Sequence, residues 1–360
     1  MSTHSKAPVP EDKGKDMTTE IHFERTGALG RIVLDRPKAL NALTLDQVHL
    51  MHPQLDAWAK DDSIAAVVIE GAGEKAFCAG GDIKQLYEAC KASDLEFAAA
   101  FYRDEYRLNR RIKTMPKPYL AFLDGIVMGG GVGVSVHGKY RIATERTLFA
   151  MPETGIGFFP DVGGSYFLPH LPGAIGQYLG LTGARLGPAD TLHVGVATHY
   201  VDSERLPALR EALSEARDSA EIEATLTGFA SDTGPAPLDG QRALIDRCFG
   251  KESLAEVFTA LEAETDPFAA ETLAIIRKKS PHLVAVSFEM IQRGRSMSFD
   301  QCMVMEFRLA MALAPAHDFV EGVRALLIDR DNKPQWRDAG SNVEVRAVFD
   351  AVPACGDLVF

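Results

Sequence analysis

Near its middle the chain runs from Asp124 through Ile126-Val127-Met128 into Gly129-Gly130-Gly131-Val132-Gly133, and then into an apolar, helix-like stretch. Glycines packed this densely at the joint between a strand and a helix leave few folds open. Without a Cβ, the backbone comes very close to a neighbour or a ligand. A backbone N–H there can point at a ligand oxygen, and the dipole of the following helix favours developing negative charge. Tight packing alone is the other use of such a cluster. A dinucleotide fingerprint is incomplete: neither Gly129-x-Gly131 nor Gly131-x-Gly133 is followed by a third glycine three residues on. Gly71-Ala72-Gly73-Glu74-Lys75 likewise misses the spacing of a phosphate-cradling loop.

Around this joint short β-type runs alternate with helical ones from about Ile21, which predicts an α/β fold. Candidate strands lie at residues 31–34, 66–70, 119–123, 141–144 and 147–150. Thr44 and Gln47 form a capping box that opens a helix whose Val48, Met51, Leu55 and Trp58 recur at helical spacing. After about Val201 the β-type runs vanish and Ala, Glu and Leu dominate. There a turn-rich stretch over 231–240 separates helical segments, and Ser253 with Glu256 and Ser298 with Gln301 make further capping boxes. Ser280-Pro281 is expected to stop one helix. The expected organisation is a disordered N-terminal arm over 1–20, an α/β core over 21–202 and a helical C-terminal extension over 203–360. The arm is polar, carries Pro8 and Pro10, and has neither an apolar signal core nor an Arg-rich amphipathic pattern.

Charge and cysteine content narrow the partners. Thirty-eight Lys plus Arg against 50 Asp plus Glu give a net charge of −12, which repels nucleic acid at long range. A small anionic ligand stays open, since a helix N-terminus and a few cations hold phosphate whatever the total charge. No apolar run approaches the roughly 20 residues of a bilayer span, so no membrane span is expected. The five cysteines are odd in number, far apart and never in a C-x-x-C pair, which disfavours a disulfide framework or a zinc site. A reducing, cytoplasmic location and no bound metal are the expectations.

Two further segments carry chemistry. Ala76-Phe77-Cys78-Ala79-Gly80-Gly81-Asp82 again places small residues just before a helix, where it can supply a second N–H; two such donors form an oxyanion hole. Nothing in the sequence lowers the pKa of Cys78, and it reads as a small buried hydrophobe rather than a nucleophile. Phe149 to Gly164 embeds Glu153 and Asp161 among Phe, Met, Ile and Pro. Desolvation in such company raises a carboxyl pKa and suits acid–base work near neutrality, although either residue can also cap a turn or a helix. His137, on the apolar stretch, reads as a hydrogen-bonded core histidine. No H-E-x-x-H or G-x-S-x-G motif is present.

Taken together and in this order, these three segments resemble the crotonase (enoyl-CoA hydratase/isomerase) superfamily, and Arg36-Pro37-Lys38-Ala39-Leu40-Asn41-Ala42-Leu43 matches as well. Within it the resemblance is to thioester-hydrolysing members, through Met128 to Gly138, Met151-Pro152-Glu153-Thr154 and Phe159 to Gly164. It continues in Leu181-Thr182-Gly183, Ala197-Thr198-His199 and Asp331-Asn332-Lys333-Pro334-Gln335-Trp336. The resemblance implies a crotonase-like spiral of β-β-α units with a C-terminal helical region. It also implies a thioester carbonyl held between the N–H groups of Ala79 and Gly130, and substrate contacts from Glu105, Gly130, Glu153 and Asp161. Hydratases of the superfamily place a first catalytic glutamate where this chain has Gly133, and a small residue where it has Asp161.

The reaction so implied is hydrolysis of a short 3-hydroxyacyl-CoA thioester, a step of valine breakdown. Glu153 attacks the carbonyl or activates a water; Asp161 binds the 3-hydroxyl or positions the water and the leaving thiol. CoA enters as part of the substrate and no separate cofactor is implied. Arg36, Lys38 and Lys75 are the expected cations for the CoA phosphates. Members commonly form trimers or pairs of trimers, so a homo-oligomer is one expectation; the helical extension covering the same surface within one chain is the other. Hydration or isomerisation on the same scaffold, and acyl-CoA binding without catalysis, are the alternative functions.

Overall fold

The computed structural model describes residues 20–338, 340 and 342–360. The arm expected over 1–20 lies outside them except for Glu20, whose carbonyl accepts from the Asp35 N–H and the Gln47 side chain. The chain enters through an antiparallel pair, β1 (Ile21–Thr26) and β2 (Leu29–Leu34). The capping box at Thr44 and Gln47 then opens α1 (Leu45–Lys60), and its Val48, Met51, Leu55 and Trp58 are buried.

From there the chain winds by one repeated device. The strands β3 (Ala66–Gly71), β5 (Tyr119–Leu123) and β7 (Tyr140–Ala143) extend the first pair in parallel. Each is followed within a few residues by a short strand, β4 (Ala76–Cys78), β6 (Ile126–Met128) or β8 (Leu148–Ala150). With β9 (His199–Tyr200), the described residues form a six-stranded sheet in the order β1-β2-β3-β5-β7-β9 and a three-stranded parallel sheet in the order β4-β6-β8. Each turn thus lays one strand in each sheet and returns through helix: α2 (Ile83–Lys91) and α3 (Leu95–Lys113) after β4, and the short α4 (Gly130–Gly133) after β6. This is the β-β-α spiral.

The central strands are buried on both faces, as parallel strands covered on two sides are. Val67, Ile69, Ala121 and Leu123 belong to the large core beneath α1 and α3. Their alternates Ala66, Val68, Leu120 and Phe122 face a second core closed by Leu209, Leu213, Ile222 and Leu226. Those four come from the first two helices of the C-terminal region, Leu206–Glu215 and Ser219–Phe229. The later helices pack on the opposite side, where Phe299–Leu313 lies against α3. No strand follows β9 among the described residues. The expected helix stop at Ser280-Pro281 is also a start: Pro267–Ile276 ends just before it, and Ser280 caps Pro281–Gly294 through the Leu283 N–H at 3.1 Å. Proline suits that first helical position, where its missing donor has no intrahelical partner to lose.

The glycine joint has a steric cause. Gly129 sits at φ 48, ψ −123, a backbone that residues with a Cβ rarely adopt. A Cβ on Gly131 would lie 2.2 Å from the carbonyl oxygen of Cys78, which as strand backbone cannot move aside. Gly131→Ala is therefore expected to lower unfolding stability by about 1–3 kcal/mol or more, read as a reduced urea midpoint. An unchanged midpoint contradicts the close approach.

Candidate active site

Because β4 and β6 are parallel neighbours, the turns that follow them lie side by side. The first turn corrects one expectation. The Ala79 N–H donates to the Leu40 carbonyl at 3.0 Å and is not available to a ligand. The amide facing the second turn is that of Gly81, whose nitrogen lies 3.0 Å from the point where Gly130 would carry a Cβ. Among the described residues neither Gly81 nor Gly130 donates to a backbone acceptor; Gly130 opens α4, where the first N–H groups have no intrahelical partner. Ala79, Gly81 and Gly130 all line one cavity.

Three carboxyl groups reach the same cavity from three elements. Glu105 projects from α3, Glu153 opens the 3-10 turn Glu153–Ile156 after β8, and Asp161 follows eight residues later. They are 2%, 5% and 7% exposed. Glu105 Oε1 sits 2.8 Å from the Cβ point of Gly130, and Glu153 Oε1 sits 3.3 Å from that of Gly129. Only glycines let both carboxyls approach the turn so closely. Glu105 Oε1 and Glu153 Oε2 are buried without a hydrogen-bond partner among the described residues, whereas Asp161 Oδ2 accepts from the Tyr106 hydroxyl at 2.8 Å.

Burial dominates the electrostatics. It pushes the Glu105 and Glu153 carboxyls well above the usual range, and the charge of Asp161 adds to both. The Lys279 ammonium pulls Glu153 part of the way back. Burial raises Asp161 to about 7 against the opposing bond from Tyr106. Cys78 is buried with its thiol pushed up to about 12, far from a nucleophile's value.

The loop carrying Asp161 is strained and clamped. Val162, β-branched, sits at φ 52, a conformation such residues adopt only when their surroundings impose it. From one side His137 Nε2 donates to the Val162 carbonyl at 2.7 Å, and burial lowers this imidazole to about 4, so it stays neutral. From the other side Glu306, fully buried on helix Phe299–Leu313, accepts from the N–H groups of Gly163 at 2.8 Å and Ser165 at 2.9 Å and from the Ser165 hydroxyl. Burial raises Glu306 to about 8, opposed by those bonds. Asp161 therefore does not cap the helix that follows; a carboxylate 143 residues from Gly163 does.

Sequence reasoning missed Glu306, Tyr102, Tyr106, Asn109 and Lys279. Tyr102, Glu105, Tyr106 and Asn109 fall at i, i+3, i+4 and i+7 on α3, all buried. Polar groups on the face where a helix normally carries apolar ones are the signal that could have found them. Glu306 gives the same signal, set between Met303, Met305 and Phe307.

Among the expected cations, Arg36 is engaged elsewhere: it donates to the Ala42 carbonyl and pairs with Asp82 and Glu20. Lys38 and Lys75 are exposed and share a groove with Leu40, the residue whose carbonyl holds Ala79. At Gly133, a Cβ would lie 2.7 Å from Val162 Cβ and 2.8 Å from Asn109 Nδ2, so no glutamate fits there. Among the described residues no helix is long and apolar enough to cross a membrane.

Two N–H groups without backbone acceptors, beside three desolvated carboxyls in one cavity, suit a reaction in which a carbonyl oxygen gains charge. The chain is also similar to known proteins in sequence and fold. The sequence matches the family described as enoyl-CoA hydratase/isomerase over residues 29–350. A Danio rerio protein named 3-hydroxyisobutyryl-CoA hydrolase, mitochondrial, is 47% identical over 89% of this chain and 85% of its own length. Its Mus musculus counterpart is 45% identical over 89% and 85%. A solved structure, described as a carnitinyl-CoA dehydratase from Mycobacterium thermoresistibile, is 40% identical and superposes with a TM-score of 0.89 over 95% of this chain and 99% of its own. The relatives' names overturn the expectation of a cytoplasmic protein, since both are mitochondrial. This chain belongs to the enoyl-CoA hydratase/isomerase family, the crotonase superfamily.

Proposed function

We propose that the protein hydrolyses the thioester of 3-hydroxyisobutyryl-CoA, and of 3-hydroxypropionyl-CoA, to the free hydroxy acid and CoA, a step of valine breakdown. The observation that carries this reading is Glu153, buried beside the Gly129–Gly130 turn with one carboxyl oxygen unpartnered, while the position of a second hydratase carboxylate is walled off by Val162 and Asn109. Adding water across a double bond needs two carboxylates to hold and split it. Thioester hydrolysis needs one nucleophile or base, an oxyanion hole and a proton for the leaving thiolate. A protein that only bound acyl-CoA would have no use for carboxyls held in this costly apolar setting.

In this reaction the thioester oxygen lies between the N–H groups of Gly81 and Gly130, each such donor being worth about 2.7–4 kcal/mol of barrier. Glu153 attacks the carbonyl carbon, the C–S bond breaks, and the resulting anhydride is opened by water; alternatively Glu153 takes the proton of a water that attacks directly. Asp161, raised to about 7, is partly protonated at neutral pH and hands its proton to the departing thiolate. The cavity volume of about 110 Å³ suits a short acyl group. Lys38 and Lys75, along the Leu40 groove, are the cations left to hold CoA phosphates.

The test is thiol release from 3-hydroxyisobutyryl-CoA as a function of pH. Glu153 works only as the carboxylate, which burial disfavours, and Asp161 donates only while protonated, so kcat/KM is expected to follow a bell, its acid limb displaced above the usual carboxylate range and its alkaline limb set by Asp161 near 7. A flat profile between pH 5.5 and 8.5 contradicts the role given to Glu153.

A further inference from the structure

Tyr102 is 2% exposed, lines the cavity, and its hydroxyl is buried without a partner among the described residues. A buried tyrosine hydroxyl ordinarily finds a hydrogen bond, and an unpaired one is a standing cost that a ligand can relieve. The ring has little freedom. It stacks on Phe158 at 5.7 Å and 17°, meets Phe101 edge-on at 5.9 Å and leans on Tyr106 at 5.9 Å. Glu105 lies three residues along α3 on the same face, also buried, also with an unpartnered oxygen, and lines the same cavity.

We propose that Tyr102 selects the substrate's 3-hydroxyl group, its phenol donating to the hydroxyl oxygen while the hydroxyl donates a hydrogen bond to Glu105, the substrate contact that the family resemblance already implies. This rests on the hydrolase reading and names what selects its substrate. The complementarity is chemical. A hydroxyl is at once donor and acceptor, and the two protein groups are a phenol and a carboxyl one helical turn apart. Burial raises the Tyr102 phenol well above its ordinary value, which keeps it a donor at every working pH. A site built this way discriminates against the analogue lacking the hydroxyl, because binding that analogue leaves both buried groups unpaired. Asp161, whose Oδ2 is occupied by Tyr106, is thereby left to the water and the leaving thiol.

The experiment compares kcat/KM for thiol release from 3-hydroxyisobutyryl-CoA and from isobutyryl-CoA, which has the same carbon skeleton without the hydroxyl. The wild type is expected to prefer the hydroxylated substrate strongly. In Tyr102→Phe the ratio of the two falls by about 10- to 100-fold. Glu105→Gln is the second variant, with the ratio falling in the same direction, should the first fail to fold. An unchanged ratio in a folded, active variant overturns the subsite, including the case in which both substrates lose activity equally, as a purely structural role requires. Thiol release from neither substrate by the wild type overturns the hydrolase reading itself, and the subsite with it.

Discussion

Glu153→Gln loses thiol release by about 10³-fold or more in kcat while keeping its fold. The amide neither attacks a carbonyl nor accepts a proton from water, so both versions of the mechanism fail together. Stability is retained because the site already disfavours the charged form. Burial and Asp161 push the carboxyl toward neutrality, and glutamine is a neutral group of nearly the same shape. The loss is measured by steady-state kinetics beside a urea titration. Activity within tenfold of the wild type contradicts the assignment of Glu153 to the chemistry. Repeated turnover of the wild type in ¹⁸O-water then tests the covalent route: label in the Glu153 carboxylate marks an anhydride opened at its glutamyl carbon, which a base acting through water never produces.

Glu306→Ala is the second large effect, and it arises far along the chain from the chemistry. The truncation leaves the N–H groups of Gly163 and Ser165 and the Ser165 hydroxyl without their acceptor in a fully buried place. Each such orphan costs about 1–3 kcal/mol, so the three together cost about 3 kcal/mol or more. Against a usual total of about 5–15 kcal/mol this is a large share, so the urea midpoint falls steeply. The strained backbone at Val162 is held by this carboxylate and by His137, so kcat is expected to fall as Asp161 loses its aim. Glu306→Gln keeps one acceptor oxygen and lies between the wild type and the alanine variant. A loss below about 1 kcal/mol in Glu306→Ala contradicts the clamp.

What could be read in advance follows a physical line. Elements defined by local pattern were legible: the capping boxes at Thr44, Ser253 and Ser298 stand in the structure, and β3 and β5 fall within a residue of their expected bounds. β4, β6 and β9 are two or three residues long, too short for a period-2 signal, and β1 buries only Ile21 fully. At the site, Glu105, Gly130, Glu153 and Asp161 were singled out in the sequence, and the structure brings them around one cavity. The Ala79 donor was misplaced by two residues, because which amide of Ala79-Gly80-Gly81 turns inward depends on the bond from Ala79 to Leu40, a pairing from a distant loop. Arg36 is an available cation by composition alone; Asp82 and Glu20 reach it only through the fold. Glu306 and Lys279 come from the C-terminal helices, and nothing local in their segments names the loop or the carboxyl they act upon.

The most direct measurement offers the purified protein 3-hydroxyisobutyryl-CoA, 3-hydroxypropionyl-CoA, crotonyl-CoA and acetyl-CoA, following free thiol and the enoyl absorbance together. The account predicts rapid thiol release from the two hydroxyacyl substrates and no loss of the enoyl chromophore from crotonyl-CoA. Loss of that chromophore without thiol release would contradict it, for the protein would then be hydrating a double bond despite having Gly133 where a hydratase needs its carboxylate.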